Sequence, residues 1–252
     1  MDNHTLTFGT FPAVIATLVV LATLAIGSTS FAKSPETKPA TGPSKTEKAR
    51  VSAAVGDARP SSDAKPTPDQ ATAKAPEVFK ARFKTTKGDY VVEVRRKWSP
   101  NGADRFYNLV RLGYFTDLAY FRVLKGFMAQ TGIHGTPDIS ALWRGARIQD
   151  DPPAGQSNTR GFVSYATAGP HTRTTQFFVN YGDNANLDSM GFTPFGQVVD
   201  GMKTVEALYG DYGEGAPRGT GPDQGRVQME GNAYLKKEFP KLDYIKSAAI
   251  EK

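Results

Sequence analysis

The 252-residue chain contains no cysteine and only three histidines, His4, His134 and His171. The first absence excludes disulfides, thiolate nucleophiles and cysteine–zinc centres. The second leaves little from which to build a metal site, because neither HExxH nor any paired-histidine spacing occurs, so no metal or other cofactor is expected. Lysine and arginine are missing altogether before Lys33, and elsewhere the modest net charge of +6 is scattered rather than gathered into an arginine-rich stripe. A nucleic-acid partner is therefore not expected. The Gly/Pro-rich stretch 210–224 lacks a Walker or GxGxxG pattern between a strand and a helix, which argues against a phosphate cradle. Ser164 and His171 invite a Ser-His-Asp reading, but without a G-x-S-x-G elbow His171 reads as an exposed loop histidine.

What is present divides into three regions. Residues 1–32 are mostly apolar; 14–27 has the character of a signal-peptide core, and Ser30-Phe31-Ala32 is an acceptable cleavage site. The same run, 11–31, is also long enough to span a bilayer as an uncleaved anchor, while Lys33 and Lys38 downstream oppose export of the C-terminal part. A buried helix is the third reading. Cleaved or not, the leader places the rest of the chain at the cell envelope, in the periplasm or on the membrane. Residues 33–76 are rich in Lys, Ala, Pro, Ser and Thr, with no aromatic and only Val51 and Val55 as bulky aliphatics. Such a segment buries too little to offset chain entropy and is expected to be a disordered tether. Residues 77–252 are ample for one folded domain, expected to be a monomer.

Within that domain, Val78–Phe83 and Asp89–Val94 read as strands around a Thr86–Asp89 turn. Ser99 and Pro100 open a helix whose Phe106, Leu109 and Val110 make an apolar stripe. Strands follow at 118–124 and 127–132, hinged at Lys125-Gly126, then a long connection with a short helix near Ser140–Arg144. Further strands are expected at 161–166, 175–181 and 193–199, a second helix at Asp200–Tyr209, a last strand at Arg226–Glu230 and a short helical tail. This order does not alternate βαβ, and it fits a mainly β, mostly antiparallel closed barrel whose ends are plugged by two helices.

Two runs carry chemistry. Tyr120 to Gln130, YFRVLKGFMAQ, sets one arginine and one glutamine among large apolar side chains in a strand–turn–strand pattern. Thr175-Gln176-Phe177-Phe178-Val179 adds a second apolar-plus-amide run. Together they describe a shallow apolar pocket for a ring with a fixed cation at its rim. Taken alone, Arg122 could equally be a strand arginine paired with a carboxylate, and each apolar residue could be core. Phe177, pointing opposite to Phe178, is assigned to the core.

The order and spacing of several blocks resemble the cyclophilins, peptidyl-prolyl isomerases with an eight-stranded barrel. The blocks are Phe121-Arg122-Val123, Gly126-Phe127-Met128-x-Gln130, Ala166-x-Ala168-Gly169-Pro170, Thr175 to Phe178, Leu187-Asp188, Phe195 to Val198 and Gly201-Met202. The resemblance covers about 80–230, and the longer connection with Trp143-Arg144 suggests a bacterial envelope branch. It implies that the barrel has eight strands and that proline-containing polypeptides are the partners. It implies that Arg122 donates to a substrate carbonyl and approaches the proline nitrogen, with Gln130 and Gln176 binding substrate backbone or orienting Arg122. Phe127, Met128, Phe178 and Leu187 would grip the proline ring, and Ala166 would leave room for the preceding residue. Four departures stand out: Thr167 where the family carries Asn, Asn186 in place of Trp, Phe192 in place of a pocket-closing His, and Thr174-Thr175 in place of Gly-Ser. The change at Asn186 implies weak cyclosporin binding, while Arg122 and the proline pocket are retained. A non-catalytic proline-peptide reader, or a chaperone acting by hydrophobic capture, is the alternative.

Overall fold

The computed structural model describes residues 65–251, so the expectations for the leader and for the tether up to residue 64 lie outside the described residues. The chain runs through β1 (Val78–Thr85), β2 (Gly88–Arg95), α1 (Pro100–Arg111), β3 (Leu118–Ala119), β4 (Arg122–Leu124), β5 (Met128–Thr131) and α2 (Pro137–Arg144). It continues through β6 (Phe162–Tyr165), β7 (Phe177–Asn180), β8 (Pro194–Asp200), α3 (Met202–Glu206), α4 (Gln224–Glu238) and β9 (Tyr244–Ile250). Nine strands form one sheet in the order β3-β9-β1-β2-β8-β6-β7-β5-β4, with every ladder antiparallel.

The sheet corrects the expected closed eight-stranded barrel. It has one strand more, and no ladder joins its ends, β3 and β4. Those ends are consecutive in the chain, separated only by Tyr120 and Phe121, so the sheet curls into a half-barrel whose edges are held together covalently. The C-terminal assignments also exchange: Arg226–Glu230 belongs to a helix, and the tail is a strand pairing with β1 and β3. Alternation in Arg-Val-Gln-Met-Glu mimics a strand, but Asp223 accepts from the Arg226 N–H at 2.8 Å and caps a helix. Gly231, at φ +59°, breaks the span into two helical segments; the first buries Val227 and leaves Met229 64% exposed, and the second buries Tyr234 and Leu235. Among the described residues α1, α2 and α3 fall where helices were expected, and α4 takes the place of the expected last strand.

One face of the curled sheet encloses the core. Phe79, Ala81, Phe83 and Thr85 alternate inward along β1, and Phe83, Phe106, Phe115 and Phe177 meet with ring centroids 5.4 to 6.0 Å apart. Phe177 is thus a core residue, as its place on the strand implied.

Ser99, expected to cap α1, makes no capping bond. The cap comes from Asp151, whose Oδ1 accepts from the Asn101 N–H at 2.9 Å and whose Oδ2 accepts from the Gly102 N–H at 3.0 Å. Ser99 instead donates its hydroxyl to Asp151 at 2.5 Å. The buried Arg173 guanidinium neutralises the same carboxylate at 3.0 Å.

Residues 65–76, assigned by composition to the tether, lie along the domain. The Ala73 and Ala75 N–H groups donate to Asn108 and Asp104 on α1, and Asn108 Nδ2 returns a bond to the Ala73 carbonyl. Pro66 is buried and its carbonyl accepts from the Trp143 indole at 2.8 Å. Apolar composition alone misses this strap because its attachment is mostly through backbone hydrogen bonds.

Candidate active site

Residues directly opposite across antiparallel strands share a face. Arg122 pairs with Gln130, and Gln130 with Phe178, so the three stand in one row across β4, β5 and β7. Residue-by-residue alternation sends Val123, Ala129, Phe177 and Val179 into the core and the Arg122 row to the opposite face. On that face Met128, Phe178, Leu187 and Phe192 form a separate apolar cluster, with Leu124 and Phe127 packed against it. The tight turn at Lys125-Gly126 joins β4 to β5, and Gly126 takes φ +77°, a conformation that glycine adopts without penalty from a Cβ.

Arg122 is buried although it carries a full charge, with its side chain 6% exposed. Its Nε and Nη2 donate to the two oxygens of Glu214, each at 2.6 Å, and its Nη1 donates to Gln130 Oε1 at 3.2 Å. Nη1 also lies 3.9 Å from Met128 Sδ, and the guanidinium carbon is 6.0 Å from the Phe127 ring centroid. Gln130 passes the chain on, its Nε2 donating to Gln176 Oε1 at 3.0 Å. A guanidinium has five N–H groups. The second N–H of Nη2, on the end-on edge of the fork, has no protein partner among the described residues. The sequence alternatives for Arg122 therefore combine: it is paired with a carboxylate, yet it is buried beside the pocket and keeps a donor.

Glu214 was not anticipated. It lies in the Gly/Pro-rich connection after α3, where sequence offers no spacing rule to link it to Arg122. Burial alone would raise its carboxyl, but hydrogen bonds and charge from Arg122, with the Gly215 N–H, hold it below the usual carboxylate range.

The apolar cluster is fixed from behind by an amide network. Asp188 accepts from Ser157 Oγ at 2.5 Å and from the Asn158 backbone and side-chain nitrogens at 2.9 and 2.7 Å. Asn158 Nδ2 also donates to the Phe192 carbonyl at 2.7 Å, and Asn184 Nδ2 to the Phe127 carbonyl at 2.8 Å. These bonds pin the turn bearing Leu187 and Phe192 to the strands bearing Met128 and Phe178. Phe192 meets Phe178 edge-on at 5.7 Å.

The remaining expected residues are placed unevenly. Ala166 is buried and donates its N–H to the Gln176 carbonyl at 3.0 Å, next to the row. The Thr167 hydroxyl is turned into its own loop, bonded to the Gly169 carbonyl and to Thr172 Oγ1. Asn186 is exposed and takes no part in the apolar cluster. Ser164 and His171 do not meet: Ser164 donates to Asn158, and exposed His171 accepts from the Asp150 N–H. No group of three or more His, Asp or Glu side chains is placed to hold a metal among the described residues. No helix among them is long and apolar enough to cross a membrane.

Comparison with known proteins bears on this arrangement. The family described as cyclophilin type peptidyl-prolyl cis-trans isomerase/CLD matches residues 80–226. A rat peptidyl-prolyl cis-trans isomerase-like 3 is 38% identical over 127 residues, 49% of this chain and 78% of the relative. Peptidyl-prolyl cis-trans isomerase B of Escherichia coli K12 is 32% identical over 136 residues, 51% of this chain and 82% of the relative. In fold, the chain is similar to a Cryptosporidium parvum cyclophilin type peptidyl-prolyl cis-trans isomerase, with TM-score 0.51 and 22% identity over 69% of this chain and 98% of that one. That protein has also been crystallised in the presence of the dipeptide Ala-Pro.

Proposed function

Because the chain belongs to the cyclophilin-type peptidyl-prolyl cis-trans isomerase family, we propose that it catalyses rotation about X-Pro bonds in exported polypeptides and so assists their folding. The observation that carries the reading is the row Arg122–Gln130–Phe178, which sets a guanidinium with a free N–H beside an apolar cluster. An unaided X-Pro bond rotates in tens of seconds, because twisting it sacrifices amide resonance across a barrier of about 18–20 kcal/mol. Lowering that barrier requires no nucleophile and no proton relay. It requires a grip on the ring and a donor that favours the twisted amide over the planar one. In this reading the proline ring rests on Met128, Phe178, Leu187 and Phe192, with half-buried Phe127 at the rim. The free Arg122 N–H donates to the substrate carbonyl, and the guanidinium stands near the nitrogen as its lone pair localises. Arginine suits the role because it stays charged and its donors are rigidly arrayed.

The test is cis/trans exchange of an Ala-Pro peptide followed by NMR with the full chain and with Arg122→Ala. Catalysed exchange that collapses in the variant supports the isomerase. Peptide binding with exchange at the uncatalysed rate would identify a proline reader instead. That second reading draws on two features, the inward-turned Thr167 hydroxyl and the exposed Asn186.

The proposed site of action, the cell envelope, rests on the apolar run 11–31 and the Ser30-Phe31-Ala32 sequence. N-terminal sequencing of protein recovered from the envelope tests it. A start at Lys33 indicates cleavage, an intact N-terminus indicates an anchor, and recovery only from the cytoplasm refutes export.

A further inference from the structure

The carboxylate that meets Arg122 comes from a connection stapled to the strand it serves. Val123, next to Arg122, forms an antiparallel bridge with Gly213, next to Glu214. The Glu214 carbonyl accepts from the Gly221 N–H at 2.8 Å, and its carboxylate Oε1 accepts from the Gly215 N–H at 3.0 Å. Gly215 and Gly221 are bridged in turn. Gly219 packs so closely that a Cβ there would collide with the Glu214 carbonyl oxygen. Both ends of the Glu214 residue are therefore held by backbone, and its carboxylate is presented from a fixed point.

We infer that Glu214 is a positioning residue for Arg122, gripping the guanidinium by its Nε/Nη2 edge so that the end-on edge faces the apolar cluster. The inference rests on the isomerase reading above and names the group that orients its key residue. Two facts give the direction. The Nη1 end of the fork lies against Met128 and Gln130, on the pocket side. The opposite edge is occupied by two charge-assisted bonds of 2.6 Å, which a neutral substrate carbonyl is poorly matched to displace. Substrate must then use the edge that Glu214 leaves open. The pair also answers the cost of burying Arg122, since an isolated charge at that depth would be strongly unfavourable. Without the carboxylate, the arginine side chain regains rotamer freedom and its donor is no longer held in register with the pocket.

The experiment measures Ala-Pro peptide affinity and on-protein cis/trans exchange by NMR line shape. It uses the full chain, Glu214→Ala, Glu214→Gln, Arg122→Ala and the two double variants that combine Arg122→Ala with each Glu214 change. Glu214→Ala is expected to slow exchange about tenfold with affinity changed by less than about twofold, since a misplaced catalytic group costs rate rather than binding. Glu214→Gln keeps one acceptor and should lose less. Combined with Arg122→Ala, neither Glu214 change should slow exchange further, because Glu214 acts only through Arg122. Unchanged or faster exchange in Glu214→Ala would overturn the inference by showing a carboxylate that competes with substrate. Equal losses in both backgrounds would overturn it by showing a structural role alone. Should Glu214→Ala lose its folded NMR spectrum, Glu214→Gln is read by the same criteria of rate, affinity and coupling. An inactive wild-type chain or a fully active Arg122→Ala strikes at the isomerase reading itself and removes this inference with it. The other outcomes leave that reading intact.

Discussion

Gln130 faces Arg122 directly across the β4–β5 ladder, and its carboxamide joins the guanidinium to Gln176. One side chain thereby satisfies a buried cation on one side and an amide oxygen on the other. Gln130→Ala leaves both without that partner. Exchange of an Ala-Pro peptide should fall about tenfold, with about 1–3 kcal/mol lost from stability in a denaturant melt. A variant with wild-type exchange would show that Glu214 suffices to orient Arg122.

Asp188 secures the apolar cluster of the candidate site from outside it. Burial acts to raise its carboxyl, but hydrogen bonds from Ser157 and Asn158 outweigh it and the net shift is downward. Asp188→Ala should cost about 2 kcal/mol of stability and weaken peptide binding more than it slows on-protein exchange, because it loosens Leu187 and Phe192 while leaving the Arg122 row in place. Titration of the variant with peptide checks this; unchanged affinity would mean that the turn holds its shape without the carboxylate.

His134 is buried and held neutral, its pKa depressed to about 4 by burial. Its Nδ1 accepts from the Thr136 N–H at 3.0 Å, and its ring meets Tyr114 edge-on at 5.1 Å. The unfolded chain takes up this proton near the ordinary histidine value of 6.5. Between that pH and about 4 the unfolded state binds more protons, so this contribution to stability is full above the upper value and falls with pH across the window. The integrated loss approaches about 3 kcal/mol. Urea melts at successive pH values, with the imidazole resonances followed by NMR, test it; a His134 that titrates near 6.5 in the folded protein contradicts it.

Trp143 ties the strap to α2 through its bond to the Pro66 carbonyl. Trp143→Phe keeps a ring and removes the donor. It should cost about 1–3 kcal/mol and raise amide exchange at Ala73 and Ala75, whose N–H groups bond to α1. Hydrogen exchange that is unchanged there would show that the strap is anchored by α1 alone.

Several features were legible from local pattern. The β1–β2 hairpin follows from alternating residues around a turn, and α1 from an apolar stripe behind a proline. Met128 and Gln130 share a face because strand residues two apart point the same way, and the β4–β5 hairpin register sets Arg122 opposite Gln130 on that face. Phe178 joins them through its register with Gln130. The C-terminal reversal shows where pattern is ambiguous. Five residues of alternation at Arg226–Glu230 fit a strand, and only the Asp223 cap together with burial of Val227 makes that stretch a helix. The Ala-rich tail is a strand because β1 and β3 accept it as a partner.

By itself, then, the sequence determined that Arg122, Met128 and Gln130 share one face of the β4–β5 hairpin, because short-range periodicity and a tight turn place them. The β5–β7 register that completes the row with Phe178 came from the tertiary structure. Tertiary structure decided what acts on that row from a distance. Glu214 reaches Arg122 across 92 positions of chain, and Asp151 reaches the α1 N-terminus across about 50. It also decided that the sheet stays open between β3 and β4. The physical reason is common to all three. A buried charge and an uncapped helix end each require a partner, and closure of a sheet depends on where its two edges arrive, but local sequence specifies neither which distant segment supplies the partner nor where the edges come to lie.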